Sequence, residues 1–320
     1  MSDRKPLISI AIPVLNEEQN IKPLYERLTK TAEVMNDRCD IEFIFSDNCS
    51  DDNTWALLQE LAEEDPRVKA LRFSRNFGFQ RSILANYMHA KGDAVMQIDA
   101  DLQDPPEMLE QFFDEWQKGT QVVYGVREER QEGLMMNSFR HAGYWLIDAL
   151  SDHPIPKNAG DFRLIDRKVI DVILKYKSSK PYLRGLIASV GFSQKGIAYK
   201  RNARTLGKSK FGLLRLVQLG GTAIFNHSTI PLRAVSILGV LILGLSFLGA
   251  GYYFIYRLVN PDLPQGLASI HILVLFGIGL NAFLLGIIGE YLLRIYLAVS
   301  REPVAIVANS INFEKNDLNL

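Results

Sequence analysis

Two aspartates separated by one residue, Asp99 and Asp101, directly follow a short apolar run, Ala94 to Ile98. Gln103 comes two positions later and offers an amide oxygen. Converging carboxylates repel one another unless a cation joins them, and a hard divalent ion with oxygen ligands is the usual solution. The pattern D-x-D-x-Q at the end of a strand therefore predicts a metal site, with a diphosphate completing the metal's coordination shell.

Three further polar clusters follow other apolar runs, and each has a structural alternative. They are Asn16-Glu17-Glu18, the stretch from Asp47 to Asp52, and Arg127. Asp51 or Asp52 stands just before a helical pattern, so it could cap that helix or serve as a ligand. Asp104-Pro105-Pro106 is typical of a helix start, since proline is favoured in the first turn.

These clusters need elements that bring them together, and the N-terminal part of the chain alternates short apolar runs with helical patterns. The predicted strands are Leu7–Pro13, Ile41–Ser46, Val68–Phe73, Ala94–Ile98 and Gln121–Gly125. The predicted helices are Gln19–Met35, Asn53–Glu64, Gln80–Ala90 and Pro106–Lys118. This alternation predicts an α/β fold with a mostly parallel, Rossmann-like sheet between helices. Ligands bind beyond the carboxyl ends of such strands, where the polar clusters lie.

The last third of the chain has a different composition. Ala234–Tyr256 and Leu267–Gly289 are uncharged stretches of 23 residues each. As helices they would be about 35 Å long, enough to cross a bilayer core. We predict two membrane spans, at about 234–257 and 267–290, with the second continuing to about 299; a pair of buried core helices is the alternative. Arginines outside the connecting turn favour a cytoplasmic catalytic domain.

The segment before the first span, from about Leu213 to Asn226, has one apolar and one polar face and predicts a helix in the membrane interface. The predicted organisation is therefore a catalytic domain over 1–210, an interfacial helix over 211–230, spans within 231–300 and a cytoplasmic tail over 301–320. The formal net charge is zero, and no basic stripe or zinc spacing points to nucleic acid. Glycines in the spans permit a homo-oligomer without requiring one.

Several motifs together resemble glycosyltransferase family 2 enzymes that act on polyprenyl phosphates, such as bactoprenol glucosyltransferases and dolichol-phosphate mannose synthase. The motifs are Ile12–Glu18, Asp47–Asp51, Ser74–Gly78, Asp99–Glu107, Gly160–Leu164, Leu183–Leu186 and Arg204–Lys210. The resemblance covers nearly the whole chain. It implies the GT-A fold and an inverting transfer reaction. Phe79 and Ser189 depart from the histidine and tryptophan frequent at these positions, which leaves substrate details open.

The resemblance also implies a role for each matching position. Mg²⁺ or Mn²⁺ would be held on the donor diphosphate by Asp99, Asp101 and Gln103. The base and ribose would be lined by Pro13, Asn16, Glu17 and Asp47. Arg127, after the fifth strand, would be one cationic residue of the site. The acceptor phosphate and the donor diphosphate would be gathered by Arg140, Arg204 and Lys210, with Ser209 also at the acceptor phosphate.

The predicted reaction is the transfer of a hexose, foremost glucose from UDP-glucose, to undecaprenyl phosphate, giving a β-linked product. A GDP-mannose- or UDP-pentose-dependent enzyme of the same family is one alternative, and a non-catalytic, membrane-anchored nucleotide-sugar sensor is another. A processive polysaccharide synthase is disfavoured, because the chain has no Q-x-x-R-W motif and only two predicted spans.

Overall fold

The computed structural model describes residues 4–127, 159–176, 182–201, 267–299 and 303–314, together with the single positions Leu248, Ile255 and Val259. Its strands are β1 (Leu7–Val14), β2 (Asp40–Asp47), β3 (Val68–Phe73), β4 (Ala94–Gln97), β5 (Val122–Arg127), β6 (Ala159–Asp166), β7 (Gln194–Tyr199) and β8 (Val307–Ile311). Its α-helices are α1 (Glu18–Met35), α2 (Thr54–Glu64), α3 (Phe79–His89), α4 (Leu109–Gln117), α5 (Arg167–Lys175), α6 (Leu183–Ser189) and α7 (Leu267–Val299). A short 3₁₀ helix, Pro106–Met108, precedes α4.

All described strands form one sheet in the order β7-β5-β6-β4-β1-β2-β3-β8. The pairs β1–β2, β2–β3, β1–β4 and β5–β7 are parallel. Strand β6 runs antiparallel between β4 and β5, and β8 runs antiparallel to β3. The predicted α/β class and parallel centre are confirmed, and the ends of the predicted strands and helices move by at most two residues.

The central strands are buried on both faces because helices cover the sheet from two sides. Seven of the eight residues of β1 are buried. On one side Ile8, Ile10 and Ile12 join a core with side chains from α1, α2 and α4. On the other side Ala11 joins a core with α3, α5 and α6. The alternation follows directly from the two-residue period of a strand.

The order in which successive strands are added to the sheet reverses between β1 and β4. Strands β2 and β3 extend to one side of β1, whereas β4 pairs with its other side. A crevice forms at such a switch point, beyond the carboxyl ends of the parallel strands. The loops after β1, β2 and β4 open there. Because β6 is antiparallel to β4, its N-terminal end lies at the same edge.

The residues after α7 were predicted only as a tail, and they contain an edge strand. Strand β8 pairs with β3, with Asn309 opposite Arg72. The side chain of Asn312 donates to the carbonyl oxygens of Ala62 and Val68, both at 2.8 Å. Phe313 packs at the edge of two of the buried clusters. The five-residue strand carried too weak a periodic signal to be found in the sequence.

Helix α7 extends over 33 residues and coincides with the second predicted span and its continuation. The structure describes only part of the side chains of α7. Among the described residues, no helix is long and apolar enough to cross a membrane. The predicted interfacial helix over 211–230 lies outside the described residues. So does the first predicted span, apart from Leu248 and Ile255.

Candidate active site

The crevice has a neutral half, built by the loops after β1 and β2. The backbone N–H of Asn16 donates to Ser50 Oγ at 2.9 Å, and Asn16 Oδ1 accepts from the backbone N–H of Asp51 at 2.9 Å. The backbone N–H of Glu17 donates to Thr54 Oγ1 at 3.0 Å. These bonds tie the two loops together. Asn16 is exposed in the crevice, while Pro13 is buried beneath it.

Asp47 supports this half from below. It is fully buried, and its Oδ1 accepts from the backbone N–H of Ser50 at 2.9 Å. Its Oδ2 lies 3.5 Å from Nε of Arg72, which also donates to the carbonyl of Ser50 at 3.1 Å. Burial raises the pKa of Asp47, against the opposing hydrogen bonds from Ser50 and the charge of Arg72. Its carboxylate therefore shapes the loop from the interior rather than facing the crevice.

For Asp52, the structure distinguishes between the two predicted roles, a helix cap and a ligand. Asp52 Oδ1 accepts from the backbone N–H of Thr54 at 3.0 Å, at the start of α2, and its Oδ2 accepts from the backbone N–H of Glu18 at 3.2 Å. Asp52 thus performs the helix-start role. Burial would raise its pKa, but the hydrogen bonds from Thr54 and Glu18 lower it overall.

The second half of the crevice is charged. Asp99 follows β4, and its Oδ1 is buried without a hydrogen-bond partner in the described structure. Burial raises the pKa of Asp99 to about 8, and the charges of Asp161, Asp104 and Asp101 add to that effect. An unpartnered carboxylate oxygen among other carboxylates is costly unless a cation reaches it.

The turn after Asp101 is tight. Leu102 has a φ of 60°, a region that non-glycine residues rarely adopt, and the backbone N–H of Gln103 donates to Asp101 Oδ1 at 3.2 Å. Asn16 and Cys49 also have positive φ, at 55° and 63°, in the loops after β1 and β2. Such backbone costs on the order of 1–3 kcal/mol per residue and concentrates at functional sites. All three loops at the switch point carry it.

Asp161 enters the charged half from β6. The antiparallel pairing of β4 with β6 reaches Gln97 and Arg163, and it brings Asp161 close enough to Asp99 for its charge to add to the effect of burial on the pKa of Asp99. The guanidinium of Arg184 donates two hydrogen bonds to Asp161, from Nε to Oδ1 at 2.8 Å and from Nη2 to Oδ2 at 2.7 Å. Burial alone would raise the pKa of Asp161, but the charge and hydrogen bonds of Arg184, with Arg163, lower it below the usual carboxyl range. Asp161 is therefore an anion held by arginine.

Asp104 does not cap the helix that follows it. The 3₁₀ helix begins at Pro106 as predicted, with no side-chain cap. Asp104 Oδ1 instead accepts from the hydroxyl of Tyr199 at 2.5 Å and from Nε of Arg201 at 3.1 Å. Asp104 is 1% exposed. Removing a carboxylate from water is costly unless it is paired, so it turns inward to these two donors.

Arg127 closes the charged half at the end of β5. Its Nε lies 3.5 Å from the hydroxyl of Tyr199. Its guanidinium packs over Gly160, where an added Cβ would come within 2.6 Å of Nη2. A side chain at position 160 would therefore make the Arg127 guanidinium shift from this position. Arg127 lies close enough to Asp104 for their charges to interact, and its role in the site stays a prediction.

The predicted site residues fall into two groups. The structure brings Asn16, Glu17, Asp99, Asp101, Gln103 and Arg127 to one edge of the sheet, with Pro13 and Asp47 beneath. Arg140, Arg204, Ser209 and Lys210 lie outside the described residues. Sequence reasoning assigned no role to Asp161, Arg184, Tyr199 or Arg201. The first two stand in motifs already singled out, and the last two directly precede the basic Arg204–Lys210 segment.

Asp99, Asp101, Asp104 and Asp161 form an acidic cluster, and its oxygen atoms can be compared with the ligands that metal ions prefer. No three acidic, histidine or cysteine side chains among the described residues are arranged to hold one by themselves. The oxygen donors of Asp99 and Asp101, with one buried oxygen unpartnered, nevertheless suit Mg²⁺ or Mn²⁺ if a ligand completes the shell. A nucleoside diphosphate is such a ligand, because phosphate oxygens commonly share Mg²⁺ with one or two carboxylates.

The chain matches known proteins along nearly its full length. An uncharacterized glycosyltransferase of Bacillus subtilis (strain 168), YkcC, is 37% identical over 311 residues, covering 97% of this chain and 96% of that protein. Bactoprenol glucosyl transferase of Shigella phage SfII is 34% identical over 304 residues, covering 95% of this chain and 98% of that protein.

Among solved structures, the mannosyltransferase PcManGT from Pyrobaculum calidifontis, in complex with GDP-Man and Mn²⁺, superposes with a TM-score of 0.47. It is 16% identical, and the match covers 65% of this chain and 59% of that one. The sequence profile described as Glycosyl transferase family 2 matches residues 9–174. With the acidic strand end and the full-length relatives, this match identifies the chain as a member of glycosyltransferase family 2.

Proposed function

We propose that the chain transfers a hexose, foremost glucose from UDP-glucose, to a polyprenyl phosphate such as undecaprenyl phosphate. The anomeric carbon is inverted, so an α-linked donor gives a β-linked lipid-phosphate sugar. The observation that carries the proposal is Asp99, with an unpartnered buried oxygen beside Asp101 at the switch point of the sheet. A cationic centre on a nucleoside diphosphate would satisfy that oxygen.

The donor would span the two halves of the crevice. Its base and ribose would lie against the hydrogen-bonded loops of Asn16 and Glu17, which Pro13 and Asp47 support. Asp99, Asp101 and Gln103 would hold Mg²⁺ or Mn²⁺. When bound, the ion supplies positive charge to the departing diphosphate. Loops already fixed by hydrogen bonds lose little conformational entropy on binding, which favours affinity.

The acceptor needs little activation. The second pKa of a phosphate monoester is about 6, so the group is largely dianionic at neutral pH and needs no strong base. An acceptor oxygen forms a bond to the anomeric carbon as the bond to the diphosphate oxygen breaks, and the nucleoside diphosphate leaves. Arg127 would offset the repulsion between the two anions, together with Arg140, Arg204, Ser209 and Lys210.

Membrane attachment is part of the proposal, and α7 and β8 support it. At about 1.5 Å per residue α7 is about 50 Å long. Its exposed apolar side chains include Ile270, Leu273, Val274, Phe283, Leu285, Ile288, Leu292, Leu293, Ile295, Tyr296 and Val299. Strand β8, just after α7, pairs within the catalytic sheet. If α7 crosses the bilayer, one more crossing must precede it, and Ala234–Tyr256 is the stretch suited to it.

The relatives support the lipid half of the proposal. Several matching proteins, from Shigella phages SfII, SfV and SfX, are named bactoprenol glucosyl transferase. Their names specify both glucose and a polyprenyl acceptor. We extend both to this chain and assign it to a bacterial inner membrane, with the catalytic domain in the cytoplasm, as the arginine distribution favours.

The test is transfer of radiolabel from a panel of UDP- and GDP-sugars to undecaprenyl phosphate by the purified full-length protein, with Mn²⁺ or with chelator. We expect a metal-dependent lipid product from UDP-glucose. Product only from GDP-mannose or a UDP-pentose would change the donor and keep the reaction. An α-linked product would contradict inversion. A folded protein that binds a nucleotide-sugar but yields no product would instead support the sensor function.

A further inference from the structure

Arg201 lies two residues beyond β7, and neither the sequence motifs nor the mechanism above assign it a role. Its Nε donates to Asp104 Oδ1 at 3.1 Å. Its Nη2 lies 3.7 Å from Oδ2 of Asp101, too far for a hydrogen bond. One side of the guanidinium is therefore held, and among the described residues its Nη groups have no hydrogen-bond acceptor and are nearest to Asp101.

Asp104 is a rigid support for this arginine. The carboxylate is 1% exposed, and the same Oδ1 accepts the hydroxyl of Tyr199 at 2.5 Å. The ring of Tyr199 packs against Phe162 in the core, with ring centroids 5.4 Å apart. The side chain of Arg201 is 25% exposed, so it reaches from this buried support to the open crevice. A support fixed by packing keeps the guanidinium orientation with little further loss of entropy.

The charges at the strand end require a rearrangement when a donor binds. Asp101 is close to Arg201, yet it is also one of the two carboxylates that suit a metal ion. A metal on Asp101 would compete with Nη2 of Arg201 for Oδ2. The guanidinium then remains held by Asp104 through Nε, with its Nη groups beside the incoming phosphates.

We propose that Arg201 is a further binding residue for the donor diphosphate, in which Asp104 fixes Nε and the Nη groups donate to phosphate oxygens. The inference rests on the proposed function for its donor. Planar guanidinium groups match phosphate oxygens in geometry, which a lysine ammonium does not reproduce. Arg201 thus recognises the phosphates, and the loops of Asn16 and Glu17 recognise the nucleoside.

The test compares a nucleoside with its diphosphate in purified full-length protein supplied with Mn²⁺. UDP binding is measured by calorimetry and uridine binding by ligand-observed NMR, with GDP and guanosine in parallel. We expect the Arg201→Gln variant to bind UDP about tenfold to a hundredfold more weakly than the wild type does. If the wild type prefers GDP, we expect the same loss for GDP. Binding of the nucleoside alone should not change.

Two further variants are compared with Arg201→Gln. Arg201→Lys tests the geometry of the guanidinium, and Arg4→Gln is the control. Lysine keeps the charge but loses the fork, so UDP affinity should fall between wild type and Arg201→Gln. Arg4 pairs with Asp93 at 2.9 Å on the opposite edge of the sheet and is exposed, so Arg4→Gln should bind UDP like wild type. Should Arg201→Gln fail to fold, Arg201→Lys with a wild-type melting temperature carries the test, and it should still lose several-fold affinity.

Two outcomes would overturn the inference about Arg201 alone. One is UDP affinity within twofold of wild type in both Arg201 variants. The other is an equal loss of uridine affinity, which would make Arg201 a general support of the pocket. A wild-type protein that binds neither UDP nor GDP would overturn the proposed function together with this inference, so the two failures are distinguishable.

Discussion

The two halves of the crevice satisfy their polar groups in different ways. In the neutral half, the backbone N–H groups of Asn16, Glu17 and Ser50 donate hydrogen bonds of normal length to Ser50 Oγ, Thr54 Oγ1 and Asp47 Oδ1, respectively. In the charged half, Asp99 Oδ1 is buried and unpartnered, and Nη2 of Arg201 lies beyond hydrogen-bond length from Asp101. Beneath the first half, Asp47 Oδ2 is also buried without a hydrogen bond, but it lies 3.5 Å from Nε of Arg72. Among the described residues Asp99 has no such ion pair, so an added cation would balance the second half. Under the proposed function, recognition of the nucleoside and stabilisation of the leaving diphosphate would be separate tasks of neighbouring loops.

The largest expected effect is on turnover in the charged half. Asp101→Asn removes one of the two carboxylates that suit the metal while keeping the side chain's shape. We expect transfer to fall at least a thousandfold, since removal of a single group that stabilises developing charge costs about 10²–10³ and a metal ligand contributes more. Single-turnover radiolabel transfer across an Mn²⁺ titration measures this. Unchanged turnover at any Mn²⁺ concentration would refute the metal assignment.

The next effect is on stability. Asp161→Asn leaves Arg184 and the buried Arg163 without their anion, and breaking a buried pair from one side costs about 3 kcal/mol. Urea unfolding measured by circular dichroism would show it. The control is Asp114→Asn, which breaks a pair with Arg38 in which the aspartate is 47% exposed, against 6% for Asp161, and it should cost under about 1 kcal/mol. Equal losses in the two variants would remove the distinction between buried and exposed pairs.

Stability of the Asp161 pair should also depend on pH. The folded-state pKa of Asp161 is lowered, so its contribution is complete above the ordinary carboxyl pKa of 3.8 and disappears as pH falls through the lower folded value. Wild-type protein should therefore lose more unfolding free energy than Asp161→Asn between pH 5 and pH 2. Parallel acid profiles for the two proteins would show that the pair does not carry this dependence.

The smallest effect belongs to the neutral half. Ser50→Ala removes the acceptor of the Asn16 N–H and loosens the loop, at a cost of about 1 kcal/mol. We expect the KM for the donor to rise about fivefold with kcat nearly unchanged, because the contact is made equally in ground and transition states. Ser193→Ala, in an exposed loop that bonds to Gln121, is the control. A fall in kcat alone would place Ser50 in the chemistry instead.

Local patterns predicted the first five strands because each was an apolar run bounded by turn residues. Asp99 and Asp101 were found for the same reason, as they follow β4 directly. The part that Asp161 takes in the site was not predicted, because its position near Asp99 depends on the antiparallel insertion of β6 between β4 and β5. No local sequence pattern specifies that insertion. Asp104 resembled a helix start in sequence, and only the packing of Tyr199 and Arg201 from β7 determines its partners.

Strand β8 has a practical consequence for anyone who wishes to crystallise the catalytic part alone. A fragment cut before the hydrophobic C-terminal third would lack Val304, Val307 and Phe313, which cover Leu71 and Phe73. It would also leave β3 with an unpaired edge, a template for intermolecular strand pairing. A soluble fragment should therefore carry residues 303–314 joined to residue 201 by a flexible linker, so that the catalytic sheet keeps its eight described strands when α7 and the first predicted span are removed.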